Sequence, residues 1–237
     1  MKKKVLLIAA IVALIAIMVS GSLAYFTDTD EVKNTFTVGS VKIEIFENDK
    51  ATDSDTMTFG KLTPVVNMAD PSKDVSYMPK SVKVKNTGAN AAFIRTHIAI
   101  PTALVGYLAT DMTAEGWKWI EDSAAKVGDV DYTVFTYDYE TAVAPQDFTK
   151  ELLKGVYLSS EVDLEEDANG NLVFVLRDSA GKVFDNSGFV AHTKNADGSY
   201  TSKEVNVLVA SQAIQAEGFE NGATNALNSG FTDNPWQ

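Results

Sequence analysis

The sequence predicts an all-β protein: an antiparallel two-sheet sandwich, jelly-roll-like, with a few short helices in the connections. Three observations predict this fold. Short segments with apolar side chains at alternating positions recur along the chain, for example Val82 to Val84, and the side chains of a strand alternate between its two faces. Turn dipeptides such as Asn169-Gly170 and Asp197-Gly198 separate these segments. The chain has 237 residues and no cysteine, so its stability has to come from a hydrophobic core without disulfides or thiolate metal sites.

The first 24 residues have the three parts of an export signal. Lys2 to Lys4 are cationic, Val5 to Val19 are apolar, and Ser22 and Ala24 are the small residues that a signal peptidase recognises, so we expect cleavage just before Tyr25. The apolar run of 15 residues is shorter than the ~20 that span a bilayer, which favours a cleaved signal peptide. A retained membrane anchor, with the run lengthened by the residues that follow it, is the alternative.

The charge of the chain excludes one class of partner. The net charge is −12, and removal of the three lysines with the leader takes it to −15. Such an acidic chain is unsuited to nucleic acid, whose phosphates would repel it. The 213 residues that follow the expected cut suit a single β-sandwich, which we place at residues 39–237.

Residues 25–38, between the leader and this domain, are predicted to form a mobile N-terminal strand that a neighbouring molecule can receive. Four of its apolar residues have the same parity and would share one face of a strand: Phe26, Val32, Phe36 and Val38. The parity changes at Gly39-Ser40, because Val41, Ile43 and Ile45 are odd-numbered. Either a bulge lies there, or the residues before and after it pair with different strands.

Further along the chain the pattern predicts loops, strands and one hairpin. Residues 47–55 are polar and predict a loop, and residues 56–62 predict a short strand before a proline-rich connection. Turn residues Asn86 to Asn90 predict a hairpin between the strand around Val84 and the strand Ala91 to Ile100. In the second strand we expect the face that carries Ile94, Thr96, Ile98 and Ile100 to point into the core.

The second half predicts three short helices and several strands. Apolar spacing predicts a helix within residues 102–111, Pro145 predicts the start of another that runs to Leu153, and residues 223–227 predict a third. The remaining alternating segments predict strands, at residues 132–140, 156–164, 172–177, 183–190 and 200–209.

Two sets of residues are candidates for binding. The aromatic residues Trp117, Trp119, Tyr137 and Tyr139 fill a core or, alternatively, form an exposed platform that stacks sugars. Residues 165–171 form an acidic hairpin loop or, alternatively, bind Ca²⁺ weakly, although Leu176 occupies the twelfth position where a helix-loop-helix Ca²⁺ site needs a carboxylate.

The sequence contains no pattern of catalytic residues. The two histidines, His97 and His192, lack the His-Glu-x-x-His spacing of zinc peptidases, so we interpret them as ordinary surface or cross-strand residues unless the fold brings them together with carboxylates. The sequence also has no thiol nucleophile, no nucleophile elbow and no phosphate-binding glycine loop. We therefore predict no catalytic residues, no metal and no cofactor.

Three segments of the chain resemble the TasA and camelysin (CalY) family. They are residues 21–41, including Tyr25-Phe26-Thr27-Asp28; residues 83–95, with Lys83-Val84-Lys85-Asn86-Thr87-Gly88; and residues 205–219. The resemblance covers roughly half of the chain and leaves residues 102–199 without a counterpart. Members of this family are secreted by Gram-positive bacteria and carry a SipW-type signal peptide that a dedicated signal peptidase removes.

The resemblance implies a secreted structural subunit of an extracellular fibre, a biofilm matrix or the cell surface. Copies would join head to tail by N-terminal donor-strand addition after signal cleavage, with the membrane as a partner only before cleavage and with an accessory matrix protein as a further candidate partner. Two other classes remain open. One is a camelysin-like cell-surface metallopeptidase, and the other is a monomeric adhesin or glycan-binding module.

Overall fold

The computed structural model describes residues 27–30, 41–51, 56–59, 63–66, 68–113 and 115–236. These residues form antiparallel sheets and one α-helix, which confirms the predicted all-β class. The sequence predicted two sheets, and the structure has a third, smaller sheet beside them.

The first sheet has six strands and contains the first and the last strand of the described chain. Its strands are β1 (Thr27–Asp30), β4 (Thr56–Phe59), β6 (Ala92–Pro101), β8 (Trp117–Val127), β9 (Val130–Tyr139) and β15 (Val205–Gln215). They follow the order β1-β15-β6-β9-β8, and β4 also pairs with β15. The last strand of the chain therefore lies beside strands from its beginning.

The second sheet has five strands and the third sheet has four. The second sheet contains β2 (Ile43–Glu47), β3 (Lys50–Ala51), β5 (Met78–Asn86), β7 (Leu108–Met112) and β10 (Leu153–Leu158), in the order β3-β2-β5-β10-β7. The third sheet is a meander of β11 (Val162–Glu166), β12 (Leu172–Arg177), β13 (Val183–Lys194) and β14 (Tyr200–Ser202).

One large cluster of buried apolar side chains, which we call the main core, joins the three sheets. The first sheet contributes Ile94 and Ile98, the second contributes Val82 and Val84, and the third contributes Phe174. The face of β6 that was expected to point inwards does so, since Ile94, Ile98 and Ile100 all belong to the main core. Val41, Ile43 and Ile45 are buried there as well. Gly39-Ser40 lies outside the described residues, but the strands before and after it pair with different partners, β1 with β15 and β2 with β3 and β5, as the second of the two interpretations predicted.

The opposite face of the first sheet is also buried, because the C-terminal segment covers it. Helix α1 (Ala223–Gly230) confirms the predicted third helix, and its Ala226 and Leu227 pack against Phe93 and Ile214 of the sheet. Beyond the helix, Trp236 packs against a second group that includes Val134 and Leu208. All ten residues of β6 are consequently buried.

The predicted hairpin at Asn86 to Asn90 is wrong, because β5 and β6 lie in different sheets. The turn chemistry is present, but it carries the chain from one sheet to the other. The side chain of Asn86 is fully buried and donates to the carbonyl oxygens of Asn90 and Val143, both at 2.8 Å, while its Oδ1 accepts from the N–H of Gly88 at 2.9 Å. Strands β5 and β6 then each present one face to the main core, from opposite sides of it.

The predicted helix within residues 102–111 is wrong. The structure has a single 3₁₀ turn, Thr102–Leu104, followed by strand β7, which pairs with β10. Gly106 has a φ of +90°, which a helix does not allow. Leu104 and Leu108 both reach the main core from this turn and strand, so an apolar spacing typical of a helix arises without one.

The predicted helix from Pro145 to Leu153 is also wrong, because this segment lies extended along β5. The N–H of Thr149 donates to the carbonyl of Val84 at 2.8 Å, and the N–H of Leu152 donates to that of Val82 at 2.8 Å. These bonds to a neighbouring strand replace the bonds that a helix would make within itself.

The single strand predicted at residues 156–164 is two strands, β10 and β11, in different sheets. A turn joins them, in which the N–H of Val162 donates to the carbonyl of Ser159 at 3.1 Å. In contrast, the strand predicted at residues 172–177 has the bounds of β12, and the predicted Asp197-Gly198 turn joins β13 to β14. Across the described residues, no helix is long and apolar enough to cross a membrane.

We expect Asn86→Ala to lower the free energy of unfolding by about 1–3 kcal/mol. The substitution removes the side chain that hydrogen-bonds the carbonyl groups of Asn90 and Val143 and the N–H of Gly88, where the chain crosses from one sheet to the other. Urea denaturation followed by circular dichroism measures the change. Asn169→Ala, at an exposed turn, is the control and should stay within about 0.5 kcal/mol of the wild type. An Asn86→Ala protein as stable as this control would contradict the role we assign to the crossing.

Candidate assembly edge and the polar layer beside it

The strand β15 of the first sheet is buried on both of its faces. Its odd-numbered residues Val205, Val207, Val209 and Ala213 belong to the main core. On its other face, Leu208 and Ile214 pack beneath the C-terminal segment. One edge pairs with β6, from Leu208 opposite Ala99 to Gln215 opposite Ala92.

Two short strands share the other edge of β15. Strand β4 pairs with its first half, from Val205 opposite Phe59 to Leu208 opposite Thr56, and β1 pairs with its second half, from Ser211 opposite Asp30 to Ile214 opposite Thr27. Both run antiparallel to β15, so they lie end to end along one line. We call the edge from Val205 to Ile214 the assembly edge.

This edge depends on backbone hydrogen bonds that any strand can supply. A buried strand needs partners for its N–H and C=O groups, and an edge without them is a template for another chain. Strand β1 contributes four described residues, Thr27–Asp30, to this edge. A strand at the edge of a sheet has backbone partners on one side, so it is held less firmly than a central strand.

A layer of buried polar side chains lies between the first sheet and the C-terminal segment. Arg95 Nε donates to Asp138 Oδ1 at 2.7 Å, and Arg95 Nη2 donates to Asp138 Oδ2 at 3.0 Å, with less than a tenth of either side chain exposed. Arg95 Nη2 also donates to Asn228 Oδ1 of helix α1 at 2.6 Å. The ion pair thereby links β6 and β9 to the helix that covers them.

His97 belongs to the same layer and connects β6 to both of its neighbouring strands. Its Nδ1 lies 3.1 Å from Thr136 Oγ1 of β9, and its Nε2 lies 3.0 Å from Gln212 Oε1 of β15. The ring meets that of Trp236 edge to face, at 6.4 Å between centroids. Burial lowers the pKa of His97 to about 4, although the hydrogen bond to Gln212 acts in the opposite direction.

These contacts place His97 among the cross-strand histidines that the sequence analysis expected. Both of its ring nitrogens face uncharged side chains, so neither faces a carboxylate that could share a metal with it. The other histidine, His192, lies in the third sheet, where its Nδ1 is 3.0 Å from Ser202 Oγ. Within the part of the chain that the structure describes, no three His, Asp or Glu side chains are grouped so that they could hold a metal ion.

The aromatic residues are mainly part of the core. Trp117 and Tyr139 are buried and meet edge to face with centroids 5.0 Å apart, and Tyr137 packs against the main core. Trp119 is 55% exposed, and its Nε1 donates to Asp122 Oδ1 at 3.0 Å. The core interpretation is confirmed for Trp117, Tyr137 and Tyr139, and the proposed sugar-stacking surface is reduced to one ring.

The acidic loop at residues 165–171 is a hairpin turn between β11 and β12, which is the first of the two interpretations given for it. Asp167 Oδ1 accepts the N–H groups of Asn169 and Asn171, both at 2.8 Å. Lys194 Nζ donates to Glu166 Oε1 at 3.1 Å. These carboxylates therefore already serve the turn and its neighbouring strand.

Most residues of the expected cleavage site and donor strand lie outside the described part of the chain. This applies to the cleavage residues Ser22, Ala24 and Tyr25 and to the donor residues Phe26, Val32, Phe36 and Val38. The described part of residues 25–38 is β1, which pairs with the assembly edge of its own chain. That edge was not predicted from the sequence, although a strand that is apolar on both faces, as residues 205–214 are, indicates a central position in a sheet.

We expect the stability of the protein to fall as the pH drops from 6.5 to 4. The unfolded chain takes up a proton at His97 near pH 6.5, whereas the folded protein does so only near pH 4, so the neutral ring stabilises the fold at high pH and this contribution disappears on acidification. The loss should reach about 3 kcal/mol at pH 4 and should be absent from His97→Gln.

Urea denaturation at several pH values measures this difference between the two proteins. His192→Gln, which removes the other histidine of the chain, is the control and should keep the pH dependence of the wild type. Equal pH profiles for His97→Gln and the wild type would contradict the assignment to His97.

The chain was also compared with known proteins. No protein-family model, curated protein or solved structure matches it. Its function is therefore inferred from the assembly edge and from the sequence.

Proposed function

We propose that this protein is a secreted structural subunit of an extracellular fibre or cell-surface matrix, and that its copies join by exchanging the N-terminal strand. The observation that carries this proposal is the position of β1, which begins three residues after the expected cleavage site and closes one half of the assembly edge. The end of the chain that cleavage releases is thus the end that completes the sheet.

Exchange between copies requires no new kind of contact. If β1 leaves the edge, Ser211 to Ile214 lose their partners on that side, and β1 of a second copy can restore the same backbone hydrogen bonds. The donating strand and the receiving edge are different surfaces of one molecule, so the contact is heterologous and can propagate into a filament. At ~3.3 Å per residue, the 14 residues of the segment 25–38 reach up to ~46 Å, enough to extend over a neighbouring subunit.

The leader controls when strand exchange between copies can begin. Before cleavage, the apolar run and its lysines hold the segment at the membrane. Removal of the leader frees the segment to pair with another copy. The resemblance of residues 21–41 to the TasA and camelysin family supports the same order of events, with a dedicated signal peptidase as the partner that starts assembly.

We expect that deletion of residues 25–38 leaves a folded monomer that no longer forms fibres. The mature protein, residues 25–237, is the reference, and electron microscopy with light scattering measures fibre formation. Circular dichroism and urea denaturation check that the shortened protein is folded. Fibres of normal length and number from a folded deletion variant would refute strand exchange.

A disulfide between two copies tests the pairing directly, because the natural chain has no cysteine. Asp28 lies opposite Ala213, and directly opposed residues in an antiparallel sheet are close enough for a disulfide. We expect that mixed fibres of Asp28→Cys and Ala213→Cys proteins give cross-linked dimers on oxidation, detected by non-reducing electrophoresis. Asp28→Cys mixed with Glu121→Cys, at an exposed position of β8, is the control and should give none.

Two results together would contradict exchange. Fibres would form without a cross-link between the Asp28→Cys and Ala213→Cys chains, and a single chain that carries both substitutions would close its own disulfide. β1 would then stay in its own subunit. The fibre would then use a different surface.

A further inference from the structure

Strand β8 (Trp117–Val127) lies at the end of the first sheet that is farthest from the assembly edge. It pairs with β9 on one side, and no strand among the described residues pairs with it on the other. The residues directly before and after β8 are described, so its 11 residues are its full length. An edge strand of this length can receive a further strand through its backbone.

A β-bulge divides strand β8 into two parts. Its pairing with β9 shifts between Trp119 and Glu121, so that Ile120 is the extra residue. A bulge of this kind bends the strand that contains it. Beyond the bulge the pairing is regular as far as Val127. A second strand can therefore follow residues 121–127, and we call the outer side of this stretch the β8 edge.

The β8 edge has small residues at its centre and opposite charges on either side of them. Ser123, Ala124 and Ala125 have small side chains, which do not obstruct a neighbouring strand. Asp122 precedes these three residues and Lys126 follows them, and both charged side chains are exposed. Alternate residues of a strand share a face, so Asp122, Ala124 and Lys126 lie in one row on the same face of the sheet.

This row is complementary to itself when a second copy lies antiparallel to it. With Ala124 of one copy opposite Ala124 of the other, two-fold symmetry places Asp122 of each copy opposite Lys126 of its partner. Opposite charges that face each other across two strands attract, whereas like charges repel. Moving the centre of symmetry by one residue in either direction removes both charge pairs, so the pattern selects one register.

The contacts that these two charged side chains already make leave room for the new pairs. Lys126 Nζ lies 3.3 Å from Asp131 Oδ1 of β9, and more than half of each side chain is exposed. Asp122 Oδ1 accepts from Trp119 Nε1 at 3.0 Å, and a carboxylate has a second oxygen that can accept from an ammonium group. In the paired arrangement, Lys126 would lie between Asp131 of its own chain and Asp122 of the second copy.

We propose that the β8 edge is a two-fold interface, at which two copies of this chain pair antiparallel with Asp122 opposite Lys126. The contact is isologous and closes on itself, whereas strand exchange at the assembly edge is heterologous and propagates. The two edges lie at opposite ends of the first sheet, so one molecule can use both. The β8 interface would then hold two filaments side by side, but it does not depend on the proposed function.

A cysteine at the centre of symmetry tests the register. Directly opposed residues of antiparallel strands are close enough for a disulfide, and the natural chain has no cysteine. We expect oxidation of Ala124→Cys mature protein to give cross-linked dimers, detected by non-reducing electrophoresis. Lys118→Cys, which is exposed on the same strand before the bulge, is the matched control and should give none. Equal cross-linking of the two variants, or no dimers from Ala124→Cys, would overturn the register.

Charge reversal in the Ala124→Cys protein tests the partner residues. Lys126→Asp places carboxylates opposite each other at both ends of the interface, so the dimer yield should fall roughly tenfold or more. Addition of Asp122→Lys restores opposite charges between the copies but not the ion pair with Asp131. We therefore expect the combined variant to recover the dimer yield to within about twofold. A combined variant that is folded by circular dichroism but does not recover would contradict the interface.

Electron microscopy of the same samples separates this interface from strand exchange. Fibres that form without Ala124→Cys dimers would refute the β8 interface and leave the proposed function in place. Dimers that respond to charge reversal in the absence of fibres would support the β8 interface and refute the proposed function.

Discussion

The fold depends on the enclosure of one strand, β15. Its odd-numbered side chains complete the main core, its even-numbered side chains support the C-terminal segment, and β6 covers one of its edges. The chain has no disulfide to hold its sheets together, so this shared burial has to join them. The remaining edge of β15 also needs partners, and the structure supplies them from the first quarter of the chain, which makes that edge the place where the fold can be completed by another molecule.

The polar layer explains how the outer face of the first sheet can be buried. A buried ion pair contributes little net stability unless its remaining hydrogen-bonding groups are satisfied. Arg95 meets this condition with a two-point contact to Asp138 and a further bond to Asn228, so the pair positions helix α1 on the sheet. His97 and Gln212 extend the same layer to β15. The side chain that hydrogen-bonds His97 therefore belongs to the strand that carries the assembly edge.

Local sequence patterns predicted strands well and their partners poorly. Alternation within residues 172–177 was sufficient because β12 pairs with its neighbours along the chain. At Asn86 the turn residues were correct, but the choice between a hairpin and a crossing depends on which sheet has room for the next strand, which no local pattern contains. The same limit explains the error at Pro145 to Leu153, where β5 provides carbonyl groups from a distant part of the sequence. The candidate site shows the same division. Parity alone selected Phe26, Val32, Phe36 and Val38 as residues that share a face, whereas the edge proposed to receive them is formed by residues 205–214, near the opposite end of the sequence.

The acidic composition sets a condition on the proposed strand exchange. Without its leader the chain would carry a net charge near −15, so two copies would repel each other at distances up to the screening length, about 10 Å at 0.1 M salt. Association therefore has to come from contacts at short range, and backbone pairing along a buried edge provides them without charged groups. Backbone bonds alone would accept any extended chain, so specificity has to come from the alternating side chains that enter the receiving subunit. The edge contributes Val205, Val207, Val209 and Ala213 to the main core, and the apolar residues of the N-terminal segment that have one parity would supply the alternating side chains of the proposed exchange.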